Sequence, residues 1–305
     1  MSNAPVAAPV AAPVAYAKIL SVLTGGAGDR AALAAAFALA RPAGGHVLGL
    51  VPNPDPREAV PALGEGVSGA LVEEIMTMVE QESRNHRTRA RQAFDAALAE
   101  AGATLAETPD AAPDASLTGD FREVVGSQED VAVVEARLAD ISVMAQVGET
   151  VGGEALLMLE AILLASARPL LIVPPAFRAE TGLGRRILLA WNGSRESTQA
   201  VAQSLPLLKA AEAVTVIAVE TDKTEGAAGR DLASYLAWHG IKAQVRQPMA
   251  EGRPVGALLL AAAADAGADL MVLGGYGHSR LREMILGGVT RHVLYNAALP
   301  VLLAH

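Results

Sequence analysis

Cysteine is absent from this chain of 305 residues. That excludes disulfides, thiolate catalysis and cysteine–zinc sites, and it fits a reducing compartment. Aromatic residues are scarce at 3%, against a hydrophobic fraction of 51%. The core must come from Ala, Val, Leu and Ile, which suits a parallel sheet buried on both faces. Lysine is rare: Lys18, Lys209, Lys223 and Lys242 are the four, and none follows a glycine loop, so there is no P-loop. The net charge of −9 argues against a nucleic-acid partner, because phosphate contacts need surplus Lys and Arg. Nor is any apolar run long enough to cross a membrane. Leu156 to Val173 comes closest and carries Glu160, Arg168 and Pro169. Met1 to Ala15 repeats Ala-Pro-Val-Ala with no basic start. It reads as a disordered, polyproline-leaning tail rather than a signal peptide, and a cytoplasmic location is expected.

What is present is punctuation by glycine. Near the end, Leu270 to Leu273 is an apolar run that stops at Gly274-Gly275. A loop with Gly277 follows, then an amphipathic stretch, then Gly287-Gly288, a helical pattern and the apolar run Pro300 to Leu303. Strand, glycine turn, helix, strand is the order of a parallel α/β unit whose loops approach phosphate. Gly274, Gly277 and Gly287 stand in the spacing G-x2-G-x9-G.

The chain also repeats itself. Lys18-Ile19-Leu20 aligns with Arg186-Ile187-Leu188, and without a gap Thr24-Gly25-Gly26 falls on Asn192-Gly193-Ser194. Further on, Ala139-Asp140-Ile141 matches Ala268-Asp269-Leu270, and Arg168-Pro169-Leu170 matches Leu299-Pro300-Val301. Two βαβ-rich modules account for this, over 16–175 and 186–305, joined by the Pro- and Gly-rich Pro174 to Arg185. Each should carry its own parallel sheet, with Ile19 to Val22 and Ile187 to Ala190 as equivalent central strands. One continuous sheet would count against that. The last strands, Pro169 to Val173 and Pro300 to Leu303, are expected to pair within the chain, since open apolar edges invite aggregation.

The first half differs in two ways. Ala145 replaces Gly274, and Leu163 to Ser166 occupy the region of Gly287-Gly288. Backbone contact with phosphate needs residues without Cβ, so this half reads as degenerate. It also carries an insertion whose core, Leu71 to Ala101, reads as one helix. Its basic run (Arg84, His86, Arg87, Arg89, Arg91) is balanced by Glu73, Glu74, Glu80 and Glu82 and reads as a solvated face rather than a partner surface.

With its glycine spacing and flanks, the chain resembles the universal stress protein family over both halves, as a tandem member. The resemblance implies two modules, each an open parallel five-stranded α/β sheet with flanking helices, paired like a dimer, and it leaves room for a homodimer. It also implies ATP or another adenine nucleotide in the second half, with magnesium carried only on the phosphates. The family's acidic nucleoside contact falls on Asn192, and its base-pocket residue on Val219. Gly274, Gly277 and Gly287 match the motif glycines, Gly288 stands where a hydroxyl is usual, and Thr290 matches a hydroxyl position. Ala190, Trp191, Leu273 and Val289 complete the candidate site. The opening of a helix near Gly288 would offer free N–H groups to an anion, with His278 and Arg280 in the preceding loop. Asp265 and Asp269 read as solubilising charges.

No catalytic constellation emerges. The six histidines show no metal-ligand spacing, and there is no G-x-S-x-G turn. The implied function is a stress-response factor that senses a nucleotide. The alternatives are a ligand-free interaction protein and a slow ATPase.

Overall fold

The computed structural model describes residues 16–55, 69–109, 116–148, 153–220, 229–275 and 288–305. The expected N-terminal tail and the loop bearing Gly277, His278, Arg280 and Gly287 lie outside them. The first half runs β1 (Lys18–Val22), α1 (Asp29–Ala40), β2 (His46–Asn53), α2 (Gly69–Ala101), β3 (Thr104–Leu105), β4 (Thr118–Val125), α3 (Gln128–Arg137), β5 (Ile141–Ala145), α4 (Gly153–Ala165) and β6 (Leu170–Val173). The second runs β7 (Arg186–Ala190), α5 (Arg195–Ala210), β8 (Ala213–Ile217), α6 (Gly229–Trp238), β9 (Ala243–Arg246), α7 (Val255–Asp265), β10 (Leu270–Gly274), α8 (Gly288–Asn296) and β11 (Val301–Ala304).

Within each half the pairing is parallel, and the repeat holds strand for strand. The order β4-β2-β1-β5-β6 in the first half matches β9-β8-β7-β10-β11 in the second, with two-residue β3 added beside β4. β1 and β7 are the equivalent inner strands, as the repeat predicts. The expectation of separate sheets is corrected. β6 and β11 pair antiparallel, Val301 with Ile172, Leu302 with Leu171 and Leu303 with Leu170, and the halves fuse into one eleven-stranded sheet. The last-strand pairing expected from the sequence is the physical cause. Strands this apolar leave an edge that one half can close only with the other.

Helices cover both faces, and each core runs through both halves. On one face, β1 and β7 send Ile19 and Ile187 under α1, α2, α5 and α6. On the other, Leu20 and Leu188 lie under α3, α4, α7 and α8. Three of the rare aromatics gather beneath α2. The Phe94 ring lies 6.3 Å from Phe37 and 5.6 Å from Phe121. Gly49 makes room for it, since a Cβ there would come within 2.7 Å of Phe94.

Two further readings are corrected. The first-half "insertion" is the module's own second helix, lengthened. α2 stands where α6 stands and has 33 residues against 10. Asp269 is not merely solubilising. Its carboxylate accepts the backbone N–H groups of Arg185 and Arg186 at 3.2 and 3.1 Å, which anchors the start of β7. Asp140 does the same for Ala17 and Lys18 at 2.8 and 3.0 Å. The repeated Ala-Asp preceding β5 and β10 is thus a strand clamp.

The exchange of Gly274 for Ala145 has a packing explanation. A Cβ at Gly274 would stand 2.5 Å from the Ser197 backbone N and 2.6 Å from the Glu196 carbonyl carbon, in the first turn of α5. In the first half the equivalent contact is kept with the glycine on the opposite side. A Cβ at Gly28, opening α1, would stand 2.6 Å from the Ala145 Cβ. Each module needs one Cβ-free partner where its first helix crosses its fourth parallel strand. Gly28→Ala should therefore destabilise by about 1–3 kcal/mol, the cost of overpacking. Adding Ala145→Gly should recover most of it, as a double-mutant cycle in denaturant would show.

Candidate functional site

In the second half, β7, β8 and β10 end together, and the order of the strands reverses between β7 and β10. Open α/β sheets place ligands at that crevice. A cavity of about 210 Å³ lies there. Its floor is Ala190 and Trp191 from the end of β7 and Leu273 and Gly274 from β10. Val219 stands beyond β8, and Gly288, Val289 and Thr290 bring the first turn of α8. Asn192 forms the rim. Nine of the eleven residues proposed from the sequence thus meet in one cavity. Gly277 and Gly287 lie outside the described residues.

The local geometry follows from the turn after β7. The Trp191 N–H continues the ladder to the Ile217 carbonyl at 2.8 Å, and its half-buried side chain packs on the core. Gly193 takes φ +73°, which a residue with Cβ rarely adopts. Asn192 Oδ1 accepts the Ser194 N–H at 3.1 Å, and Ser194 caps α5 by accepting the Ser197 N–H at 3.2 Å. Behind the turn, burial pushes the Glu196 carboxyl up. Its own backbone N–H, the Ser194 hydroxyl and the charges of His305 and Arg195 outweigh that and hold it below the usual range. The sequence reading missed Ser194, Ile217, Val255 and Leu259, which complete the walls. The helical period of α7 marks Val255 and Leu259 as one face, but nothing in the sequence says that the face meets this crevice.

Walls of Ile217, Val219, Leu259 and Leu273 suit a flat heteroaromatic base. The N–H groups of the first turn of α8 suit an anion. A Cβ at Gly288 would find nothing within 4 Å, so the missing hydroxyl is a matter of chemistry and not of space. Among the described residues, no cluster of His, Asp and Glu is arranged to hold a metal ion.

The first half builds the same crevice, a cavity of about 380 Å³, and lays α2 over its glycine turn as one wall. Gly25, at φ +70°, is the counterpart of Gly193. Gly193 is exposed, whereas Gly25 is buried under α2, where a Cβ would lie 2.6 Å from the His86 Cα. Arg89 Nε donates to the Gly25 carbonyl at 2.8 Å. From below, the Asp29 carboxylate accepts the N–H groups of Thr24 and Gly25 at 3.2 and 2.7 Å. Leu163 to Ser166 are not where the notional glycine pair would be. They form and follow the last turn of α4, while the crevice faces its first.

The comparisons with known proteins agree with this architecture. Residues 184–305 match the model of the Universal stress protein family. The second half is thus similar to universal stress protein domains. Over nearly the whole chain the fold is similar to that of a universal stress protein from Archaeoglobus fulgidus. The TM-score is 0.63 at 14% identity, with 94% of this chain and 97% of that one covered. It is also similar to a functionally unknown protein from Pseudomonas aeruginosa PAO1. There the TM-score is 0.54 at 17% identity, with 95% and 92% covered. No curated protein matches the chain. Two halves of one fold, the second matching the family model, are consistent with the tandem reading of the sequence. No described helix is long and apolar enough to cross a membrane.

The buried Asp29 gives the first half a pH signature. Burial raises its pKa, only partly countered by the hydrogen bonds from Thr24 and Gly25 and by the charge of His86. The folded state then holds the proton more tightly than the unfolded chain, whose aspartate titrates near ~4. Stability should fall as pH rises from that value through the raised one, and stay lower above it. Asp29→Asn should remove this component. Relative to the parent, the variant should gain stability with rising pH, as chemical denaturation between pH 3 and pH 8 would reveal.

Proposed function

We propose that the protein is a cytoplasmic, nucleotide-responsive stress factor, built from modules over 16–175 and 186–305. It takes one adenine nucleotide per chain, in the second module. The observation that carries this reading is the contrast between two otherwise equivalent crevices. In the second half, Ala190, Asn192, Val219, Leu273 and the first turn of α8 line an open cavity. In the first half the crevice is also a cavity, of about 380 Å³, but α2 lies on its glycine turn and forms one of its walls.

In this reading the base rests against Val219, Ile217 and Leu273, with the ribose near Asn192. The phosphates lie toward Gly288, Val289 and Thr290, with Gly277 and Gly287 of the motif serving the same end. Magnesium would travel on the phosphates, held by no side-chain cluster of the protein's own. The chain's residues bind and orient the nucleotide. No group is assigned to activate water, so the function is sensing rather than turnover. A ligand-free interaction protein is the second reading, and one contact favours it. Asn192 Oδ1 is already engaged by the Ser194 N–H, and Asn brings no charge for a ribose hydroxyl.

Calorimetric titration with ATP and ADP should give one site per chain. Gly287→Val should abolish binding, and Ala145→Gly should leave it unchanged. Gly288→Ser has room for its side chain and should tighten binding about two- to tenfold, the worth of one added hydrogen bond. Two equivalent sites would refute the asymmetry. Absence of binding to either nucleotide would favour the ligand-free reading.

A further inference from the structure

Helix α2 walls the first-half cavity of about 380 Å³ with one stripe of its surface. Val79, Glu82, Ser83, His86 and Arg89 stand at i, i+3, i+4, i+7 and i+10, and all five line the cavity. The short α6 gives the second cavity no such wall among the described residues. Leu23, Val51 and Met158, each at most 3% exposed, make the floor apolar. Set beside them is Asn53, the last residue of β2. It is 5% exposed, and its Nδ2 has no hydrogen-bond partner among the described residues. A buried amide left unpaired is costly, and such a group in a folded protein calls for a reason. Other polar groups of the lining are tied. Gln128 Nε2 donates to the Pro52 carbonyl at 3.0 Å, and Arg89 Nε to the Gly25 carbonyl at 2.8 Å.

The lining selects the chemistry of a guest. A wholly apolar molecule would leave the Asn53 amide unpaired. An anion such as phosphate meets two carboxylates, Glu82 of α2 and Glu154 in the first turn of α4, against one arginine. That arginine is already engaged. Arg89 lies 3.5 Å from the Glu82 carboxylate, and His86 Nε2 lies 2.7 Å from the same group. Glu154 also sits at the positive end of α4, the place an anion would use. A cation brings no acceptor for an N–H group. There remains a neutral molecule that donates and accepts at several points, and hydroxyl groups do both. They can accept from the Asn53 amide and donate to Glu82 and Glu154, while C–H faces rest on Leu23, Val51 and Val79. At about 380 Å³ the cavity falls in the size range of small-molecule sites.

We propose that the first module binds a small neutral polyhydroxyl compound, a sugar or sugar alcohol, in the cavity between α2 and α4. The Asn53 amide anchors one hydroxyl at the floor. Glu82 and Glu154, both exposed, receive others at the rim. This ligand differs in class from the nucleotide of the second module, and the inference does not depend on that reading.

Saturation-transfer NMR on the full chain tests this, with D-ribose, D-glucose, D-sorbitol and myo-inositol as probes and calorimetry on those that bind. At least one should bind, at one site per chain. Asn53→Leu nearly keeps the side-chain volume and removes the amide. It should weaken binding about tenfold, the worth of one buried hydrogen bond. Without ligand it should be at least as stable as the parent in denaturant, because it removes an unpaired buried group. Ser83→Phe fills the cavity from α2, where the native side chain is half-buried, and should abolish binding with circular dichroism unchanged. Saturating ATP should leave the polyol affinity as it was. Absence of binding by all four probes at tens of millimolar would overturn the proposal. So would binding indifferent to both variants, or displacement of the polyol by ATP. Inorganic phosphate binding in its place would do the same, as would a loss of ligand-free stability in Asn53→Leu, which would make the amide a structural tie.

Discussion

The antiparallel contact between β6 and β11 is the constraint on which the rest of the molecule depends. Every residue of these strands, Leu170 to Val173 and Val301 to Ala304, is at most 2% exposed. Burying each large aliphatic side chain contributes about 1.5–3 kcal/mol. Neither strand could bear an open edge in water. Pairing them resolves both edges at once and sets a local two-fold relation, with Leu171 and Leu302 opposite each other at its centre. The neighbouring contacts follow that relation. Gln146 Nε2 donates to the carbonyls of Leu294 and Ala297 at 2.7 and 3.0 Å. On the other side, Gly275 leaves the space that the Leu163 side chain fills. Tyr16 adds a tie by donating its hydroxyl to the Gln203 carbonyl at 2.9 Å. Both hydrophobic cores cross the junction without a break.

On that near-symmetric frame, the two crevices differ by one element, the second helix of each module. α6 has 10 residues, or about 15 Å of helix, and α2 has 33, or about 50 Å. Among the described residues, the longer one alone reaches its glycine turn. His86 and Arg89 of α2 hold Gly25 from above while Asp29 holds it from below. The turn that faces solvent in the second module has become an internal joint in the first.

Much of this was legible in the sequence because it rests on local rules. Aliphatic runs bounded by glycine pairs gave the strands, the gap-free repeat gave the module plan, and the open last edges gave their pairing. Nine residues of the second crevice could be named, since turns after parallel strands and a helix opening converge by topology. What escaped depended on distant partners. The swap of Gly274 for Ala145 looked like a lost ligand contact because its compensation, Gly28, lies far away in sequence. Asp269 looked like a surface charge because the N–H groups it clamps belong to the start of another strand. The length of α2 could be read, but not that its backbone lies on Gly25. The expectation of two separate sheets failed for a similar reason. The pairing of the last strands, expected on its own terms, makes them one.

The central claim is that two crevices of common design differ in their walls: α2 lies on the glycine turn of the first, and the glycine turn of the second is exposed. A crystal structure of the full chain grown with saturating ATP or a non-hydrolysable analogue tests it most directly. The account predicts nucleotide density in the second module alone, with the base against Val219 and the phosphates at the first turn of α8, and α2 still seated on Gly25. Nucleotide density over Gly25 in the first module, alone or together with the second, would contradict it.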